Sequence, residues 1–304
     1  MIQLKKIVVP TDFSDPSEEA VCYAGALAEK YQAKVLLIHV VESDTLNAVR
    51  TFDGSGELIQ KLTADRKSYL KRLAKLDALS GIEVEYRLLE GVPANEIVEA
   101  AGDLGADLII MGTHGLTGPG RVFFGSVAER VVRMASMPVL TVRRPGHGFV
   151  ECSVGARRIA GIKNILLPTD FSEASAYATQ WAIALAREYQ AHLRLLHVLP
   201  EGFTSLTERA ARSRMTKKAN ASLEAFLKDE TKGLEVSREV KTGEPFQEIV
   251  AEARGKTTDI IIMGTHGRTF LKYAVLGSVA SKVVRKAPCP VLTVRHPKHK
   301  FEMP

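Results

Sequence analysis

The chain contains two copies of one pattern, and this internal duplication limits what it can fold into more than any other feature. Val9–Ser14 and Leu167–Ser172 share the letters PTDFS. Pro138–Arg143 and Pro290–Arg295 share the letters PVLTVR. Units of about 150 residues have the size of ordinary domains and are far longer than the repeats of solenoids. The sequence therefore predicts two domains of the same kind.

The domain boundaries follow from where the two copies begin and end. Residues 146–160 contain three glycines and no sustained apolar period, which is typical of a connecting segment. We predict domain 1 at residues 1–145, a linker at 146–160 and domain 2 at 161–304.

The composition excludes several classes of protein. No apolar run reaches the ~18 residues of a membrane span, and no signal-peptide segment precedes the first predicted strand, so we expect a cytoplasmic protein without a membrane partner. The net charge of +6 would suit an anionic partner, but no nucleic-acid motif accompanies it, so nucleic acid is not favoured. We interpret the scattered Cys22, Cys152 and Cys289 as reduced structural thiols.

Strand and helix patterns alternate along each copy. In the first copy we predict strands at 6–10, 34–41, 83–89, 107–112 and 138–143, and helices at 17–31, 57–79, 93–104 and 126–135. This alternation favours parallel strands with right-handed crossovers. Each copy is therefore predicted to be a doubly wound α/β domain with a parallel five-stranded sheet. In the strand order 3-2-1-4-5 the first and fourth strands are neighbours, and their carboxyl ends line one ligand crevice.

A glycine pattern follows the fourth predicted strand of each copy. Its members are Gly112, Gly115, Gly125 and Ser126 in the first copy, and Gly264, Gly267, Gly277 and Ser278 in the second. Glycines let the backbone approach a ligand closely, and the unpaired N–H groups that begin a helix attract phosphate. The pattern predicts a nucleotide-phosphate site in each copy. The serine that follows the last glycine could donate to phosphate or simply cap the helix.

Other residues near the ends of the first two strands suit a nucleoside. Asp12 and Asp170 could accept hydrogen bonds from adenine or ribose, or could cap the following loop. Val40 and Val198 could contact a base or merely pack in the sheet. The patterns of a P-loop and of a dinucleotide fingerprint are not met in the glycine regions. We interpret His39 and His197, which lie in apolar strands, as core histidines with satisfied hydrogen bonds.

Both copies resemble universal stress protein domains, and the whole chain resembles a tandem universal stress protein. The residues that carry the resemblance are the PTDFS start and the spacing Gly-x2-Gly-x9-Gly-Ser, found together in each copy. The resemblance implies ATP as the ligand, with Mg²⁺ as an accompanying ion. The residues that it implies for this site are Pro10, Thr11, Asp12, Val40, Met111, Gly112, Gly115, Gly125, Ser126 and Val127 in domain 1, and Pro168, Thr169, Asp170, Val198, Met263, Gly264, Gly267, Arg268, Gly277, Ser278 and Val279 in domain 2.

The resemblance also carries expectations about assembly and role. It implies that the final strands of the two domains pair about a pseudo-two-fold axis. It implies a stress-response protein that acts as a nucleotide-dependent sensor or scaffold, with a protein partner still to be identified and a homodimer as one assembly to test. Arg268 follows Gly267 in domain 2, where domain 1 has Leu116, so we expect domain 2 to bind ATP more tightly.

Two alternatives to this function stay open at the level of sequence. One is a slow ATPase; no residue is an evident general base and no nucleophile–base pair stands out, so we assign no catalytic residue. The other is a structural module that binds a protein partner without a nucleotide. No Cys/His cluster has the spacing of a zinc site, so no metal ligand is predicted.

Overall fold

The fold is taken from a computed structural model, which describes residues 2–52, 56–113, 125–143, 148–153, 156–159, 161–200, 206–255, 258–265 and 276–295. The chain divides into two compact units. Domain 1 comprises Gln3–Arg144 together with Val150–Ala160, and domain 2 is built mainly on Gly161–Pro304.

Domain 1 alternates strands and helices along the chain. Its elements are β1 (Lys6–Pro10), α1 (Asp15–Tyr31), β2 (Lys34–Glu42), α2 (Ser43–Phe52), α3 (Glu57–Leu73), β3 (Val84–Gly91), α4 (Pro93–Asp103), β4 (Leu108–Gly112), α5 (Ser126–Met134), β5 (Val139–Val142), β6 (Val150–Ser153) and β7 (Ala156–Ile159). The sheet has the order β3-β2-β1-β4-β5 with every pair parallel. The predicted order 3-2-1-4-5 is confirmed.

Domain 2 repeats this architecture. Its elements are β8 (Asn164–Pro168), α6 (Glu173–Tyr189), β9 (His192–Leu199), α7 (Leu206–Ala225), β10 (Val236–Thr242), α8 (Pro245–Gly255), β11 (Ile260–Gly264), α9 (Ser278–Lys286) and β12 (Val291–Val294). The strands pair in parallel in the order β10-β9-β8-β11-β12. The central strands are buried on both faces, with Ile165, Leu166 and Ile261 fully inaccessible, which explains why they appear in the sequence as unbroken apolar runs.

One helix and one pair of short strands were not predicted from the sequence. Helix α2 occupies a polar stretch after β2. Strands β6 and β7 pair antiparallel within the segment predicted to be a linker, with Val150 opposite Ile159. This hairpin packs against α1 of domain 1.

The structure corrects part of our interpretation of the cysteines as reduced thiols. Cys22, buried in α1, is disulfide-bonded, so its interpretation as a reduced thiol is wrong. Cysteine spacing alone could not indicate this bond, because a disulfide depends on which residues folding brings together. Cys289 is a free, buried thiol, as expected. Burial raises the pKa of Cys289 to about 12, so the group is protonated and unreactive near neutral pH.

A buried ionic cluster distinguishes domain 2 from domain 1. Arg194 Nη1 lies 3.2 Å from Glu252 Oε1, and Lys241 Nζ lies 2.5 Å from Glu252 Oε2. Arg194 also donates to Thr258 Oγ1. Arg194 and Glu252 are each 4% exposed. The equivalent positions of domain 1 are all apolar and are occupied by Leu36, Leu89, Ala100 and Ala106.

Two glycines at strand ends allow a helix to approach the sheet. A Cβ atom at Gly112, the last residue of β4, would lie 2.7 Å from the carbonyl oxygen of Pro16 in α1. At Gly264, which ends β11, it would lie 2.9 Å from the carbonyl group of Ala174 in α6. Real Cβ atoms do not come so close to backbone, so both positions need glycine for packing, whatever else they do.

We expect Gly264→Ala to destabilise domain 2 by about 1–3 kcal/mol, because the backbone at the start of α6 must shift. Gly255→Ala is the matched control, since a Cβ there meets nothing within 4 Å and alanine favours the helix by up to about 1 kcal/mol. Urea denaturation followed by the fluorescence of Trp181, the chain's one tryptophan and part of α6, measures both. Equal stability of the two variants would show that the contact relaxes without cost.

Candidate functional site

The sheet brings the two predicted segments of domain 1 to one edge. β1 and β4 are hydrogen-bonded neighbours, with Ile7 opposite Leu108. Their carboxyl ends therefore lie side by side, with Asp12 just beyond β1. The Gly125 N–H donates to the Thr113 carbonyl at 2.8 Å, which fixes the start of α5 against the end of β4. The Asp12 turn and the start of α5 thus share one edge of the sheet.

Domain 2 has the same arrangement. Ile165 of β8 pairs with Ile260 of β11, and the Gly277 N–H donates to the Thr265 carbonyl at 2.8 Å. The Asp170 turn follows β8 as the Asp12 turn follows β1. Because the geometry is built twice from the same local sequence, it is a property of the pattern and not of one loop.

The helices that start at these edges have N-termini suited to an anion. Gly125 and Gly277 are the N-cap residues, and within the described residues neither helix has a hydrogen bond from a capping side chain. Ser126 and Ser278 are therefore the first helical residues and not the caps. The first N–H groups of a helix have no partner within the helix and carry the positive end of its dipole. Each N-terminus can accept a phosphate or another anion.

The first turns of these two helices differ in charge. Glu129 lies in the first turn of α5, whereas the first turn of α9 contains no acidic residue and has Ser281 at the equivalent position. A carboxylate near a helix N-terminus partly neutralises the positive dipole end. The start of α9 is therefore the more attractive of the two for an anion.

The turn after β1 holds Asp12 by short hydrogen bonds. Asp12 Oδ1 accepts from the Ser14 N–H at 3.1 Å and from the Ser14 hydroxyl at 2.5 Å. The Phe13 N–H donates to Thr11 Oγ1 at 3.0 Å. The capping role that the sequence left open for this aspartate is thus present, and it fixes the carboxyl group at the edge of the sheet.

The corresponding turn of domain 2 uses a slightly different donor. Asp170 Oδ1 accepts from the Ser172 N–H at 3.0 Å and from the Ser175 hydroxyl at 2.5 Å. The Ser172 side chain instead caps α6 by accepting from the Ser175 N–H. Both aspartates are therefore held by one backbone N–H and one serine hydroxyl.

A histidine on the second strand supports each turn. His39 Nδ1 lies 2.8 Å from the Thr11 carbonyl oxygen, and His197 Nδ1 lies 2.7 Å from that of Thr169. A carbonyl only accepts, so each Nδ1 carries a proton. Burial lowers the pKa of His39 below its usual value, although its hydrogen bond to Thr11 acts in the opposite direction. Both rings are packed and hydrogen-bonded, as the sequence interpretation of core histidines requires.

Sequence reasoning missed two residues at these turns. Phe13 and Phe171 have positive φ angles of 65° and 62°, and their rings contact His39 and His197 at centroid distances of 4.5 and 4.6 Å. The available signal was the repetition of a large aromatic residue between Asp and Ser in both copies, where a loop would ordinarily carry a small residue.

The remaining predicted residues vary in accessibility. Val40 and Val198 are half-buried at the ends of β2 and β9, so each keeps some surface toward solvent. Pro10, Pro168, Met111 and Met263 are buried, so their side chains pack in the domain core. Val127 and Val279 are half-buried in the first turns of α5 and α9. Gly115, Gly267 and Arg268 lie outside the described residues, so their predicted roles stay predictions.

The described part of the chain contains neither a metal-ligand cluster nor a membrane-spanning helix. No group of three His, Cys, Asp or Glu residues there could hold a metal ion. No helix in the same residues is long and apolar enough to cross a membrane.

Comparisons with known proteins agree with the duplication. The model of the universal stress protein family matches twice, at residues 3–143 and 161–295. A universal stress protein of Methanocaldococcus jannaschii is 46% identical over 142 residues, which is 46% of this chain and 83% of that protein. One from Mycolicibacterium smegmatis is 27% identical over 314 residues and aligns with 95% of this chain and 96% of its own length. The crystal structure of a universal stress protein from Archaeoglobus fulgidus has a TM-score of 0.68 at 21% identity, covering 97% of this chain and 99% of its own.

Proposed function

The chain belongs to the universal stress protein family, with one family domain in each half, and from this premise we propose that each domain binds an adenine nucleotide, ATP first among them. The observation that carries the proposal is the placement, at one sheet edge, of a helix N-terminus without a side-chain cap and an aspartate turn. It occurs in both domains.

The two parts of the site suit the two parts of a nucleotide. The N–H groups at the start of α5 or α9 donate hydrogen bonds to the phosphate oxygens, and the hydroxyl of Ser126 or Ser278 donates to them as well. Asp12 or Asp170 accepts from the nucleoside. Val40 or Val198 offers a half-buried apolar surface to the base.

The described residues suit Mg²⁺ only as a companion of the nucleotide. They contain no cluster of carboxylates that would hold the ion by itself. Mg²⁺ in nucleotide sites commonly takes one or two protein ligands together with phosphate oxygens. Bound in this way, it would reduce the repulsion among the phosphates.

Domain 2 is proposed to be the tighter site. The first turn of α9 lacks the carboxylate that Glu129 places in the first turn of α5. Separate titrations of Gly277→Ala and Gly125→Ala proteins with ATP compare the domains, and a greater loss from the change at Gly125 would contradict this ranking.

In the cell, the proposed role is that of a stress-response sensor or scaffold whose surface depends on the bound nucleotide. A nucleotide ligand stabilises the folded state by an amount that grows with the ratio of its concentration to Kd. Occupancy would therefore report nucleotide levels through the stability of each domain.

The test of ATP binding uses the full chain. We expect isothermal titration with Mg-ATP to show two equivalents bound, and mass spectrometry of ligand released from the purified protein to show an adenine nucleotide. At 100 times Kd, ATP should stabilise a domain by about 2.7 kcal/mol. Absence of both a released nucleotide and a thermal shift would contradict the proposal, and release of a different compound would favour a module with another ligand. Rapid phosphate release, lost in the Gly125→Ala, Gly277→Ala double variant, would favour an ATPase.

A further inference from the structure

The backbone of Phe13 and Phe171 is in a conformation that large residues rarely adopt. Their φ angles of 65° and 62° lie in the left-handed region, where the Cβ atom of any residue other than glycine crowds the backbone. Gln32 and Gln190 also have positive φ, but they are helix C-caps, where this conformation is ordinary. The two phenylalanines lie instead in the turn between a strand and a helix. Strain of this kind persists only where surrounding contacts enforce it, and it concentrates at functional sites.

Ring contacts enforce the conformation in both domains. The Phe13 ring lies 4.5 Å from the His39 ring and 5.3 Å from the Tyr69 ring, measured between centroids. The Phe171 ring lies 4.6 Å from His197 and 5.5 Å from Phe226. Each phenylalanine is thus held between a histidine on the second strand and an aromatic residue from the segment that leads to the third strand.

The histidine ties this packing to the turn itself. Its Nδ1–H donates to the threonine carbonyl two residues before the phenylalanine, at 2.8 Å in domain 1 and 2.7 Å in domain 2. The turn is therefore held at its first residue by a hydrogen bond and at its third residue by ring packing. The residue between these two points is Asp12 or Asp170.

We propose that Phe13 and Phe171 are positioning residues of the nucleotide sites: packed against His39 and His197, they hold the turn in the left-handed conformation that places Asp12 and Asp170 toward the nucleoside. The inference rests on the proposed function. If Phe13 left this conformation, the peptide plane that follows it would rotate, and the Ser14 N–H would turn away from Asp12 Oδ1. The carboxyl group would then lose the contacts that fix it.

The test compares substitutions that remove the ring but differ in backbone freedom. The alanine pair, Phe13→Ala with Phe171→Ala, lacks the ring and still disfavours positive φ, so its turn should relax. The glycine pair, Phe13→Gly with Phe171→Gly, lacks the ring but adopts positive φ readily. Titration of each full-length protein with Mg-ATP should give a Kd about tenfold higher than wild type for the alanine pair and within about threefold for the glycine pair.

If the phenylalanine rings serve packing alone, the ATP affinities of the two pairs should rank differently. Glycine leaves a larger void than alanine and a more flexible chain, so the glycine pair would then bind ATP as weakly as the alanine pair or more weakly. Either that order or wild-type affinity in both pairs would overturn the inference. If the alanine pair does not fold, the leucine pair, which keeps apolar volume but disfavours positive φ, takes its place with the same expectation. Failure of the wild-type protein to bind ATP would instead refute the proposed function, and this inference with it.

Discussion

Replacing Glu252 by alanine should lower the free energy of unfolding of domain 2 by about 3–5 kcal/mol, the largest loss of stability that we expect from a single substitution in this chain. Glu252 lies between Arg194 and Lys241, both within 3.2 Å of its carboxylate oxygens. Removing the carboxylate leaves the Arg194 guanidinium, in a residue only 4% exposed, without its anionic partner. A buried charge without compensation costs far more than the net value of the pair that contained it.

The repeat supplies the matched control for this prediction. The fourfold variant Arg194→Leu, Lys241→Leu, Glu252→Ala, Thr258→Ala gives domain 2 the residues that domain 1 carries at the same positions. We expect it to be as stable as wild type or more stable by about 1–4 kcal/mol, because an apolar core of the right shape avoids the cost of burying charges. Among the described residues Arg194 Nε has no hydrogen-bond partner, so the cluster is incompletely satisfied to begin with.

Urea denaturation followed by Trp181 fluorescence measures the stability of domain 2 in both proteins. The free energy of unfolding of domain 2 should fall in the single variant and stay the same or rise in the fourfold variant, so the two should differ by several kcal/mol. A Glu252→Ala protein within about 1 kcal/mol of wild type would mean that water or a local rearrangement reaches Arg194, and the cluster would then not be a buried one.

Placing a carboxylate at the start of α9 should abolish one of the two ATP sites. In Ser278→Glu the new charge lies at the first helical position, where the phosphates are proposed to bind. Two like charges about 4 Å apart repel by roughly 4 kcal/mol at the effective dielectric of a protein surface, so a loss of affinity of at least about 100-fold is expected. Titration with Mg-ATP should show one equivalent bound in place of two.

The same substitution should leave the fold intact or strengthen it. A negative charge in the first turn of a helix is stabilising by about 0.3–1 kcal/mol, so loss of binding cannot be attributed to unfolding. Ser278→Gln, which matches glutamate in size but is neutral, is the control: it also lacks the serine hydroxyl, yet it should bind ATP far more tightly than the Ser278→Glu protein. Two equivalents of undiminished affinity in the Ser278→Glu protein would show that the phosphates do not lie at this helix.

The sequence could predict the topology because it rests on local signals. Unbroken apolar runs such as Leu108–Gly112 mark strands that helices cover on both faces, and their alternation with helices determines parallel pairing. The order 3-2-1-4-5 then brings the end of β1 beside the end of β4. The placement of Asp12 and the start of α5 at one edge of the sheet was accordingly within reach of sequence reasoning.

Other features depend on contacts between distant residues and were out of reach. The positive φ of Phe13 follows from its packing on His39, which is 26 positions away in the chain and arrives only with β2. Arg194 and Glu252 would ordinarily be assigned to a solvated surface, since charged residues are rarely buried unless paired. Their pairing appears only when α8 packs on the sheet. The disulfide of Cys22 was missed for the same reason.

The hairpin of β6 and β7 has a practical consequence for expressing domain 1 as a separate fragment. It follows the last strand of the first sheet in sequence, yet it packs against α1 of that same half. A fragment that stops at residue 145 would lack this hairpin. The apolar surface of α1 that the hairpin covers would then be exposed to solvent and could promote aggregation. Anyone expressing the first half alone should carry it through Ala160.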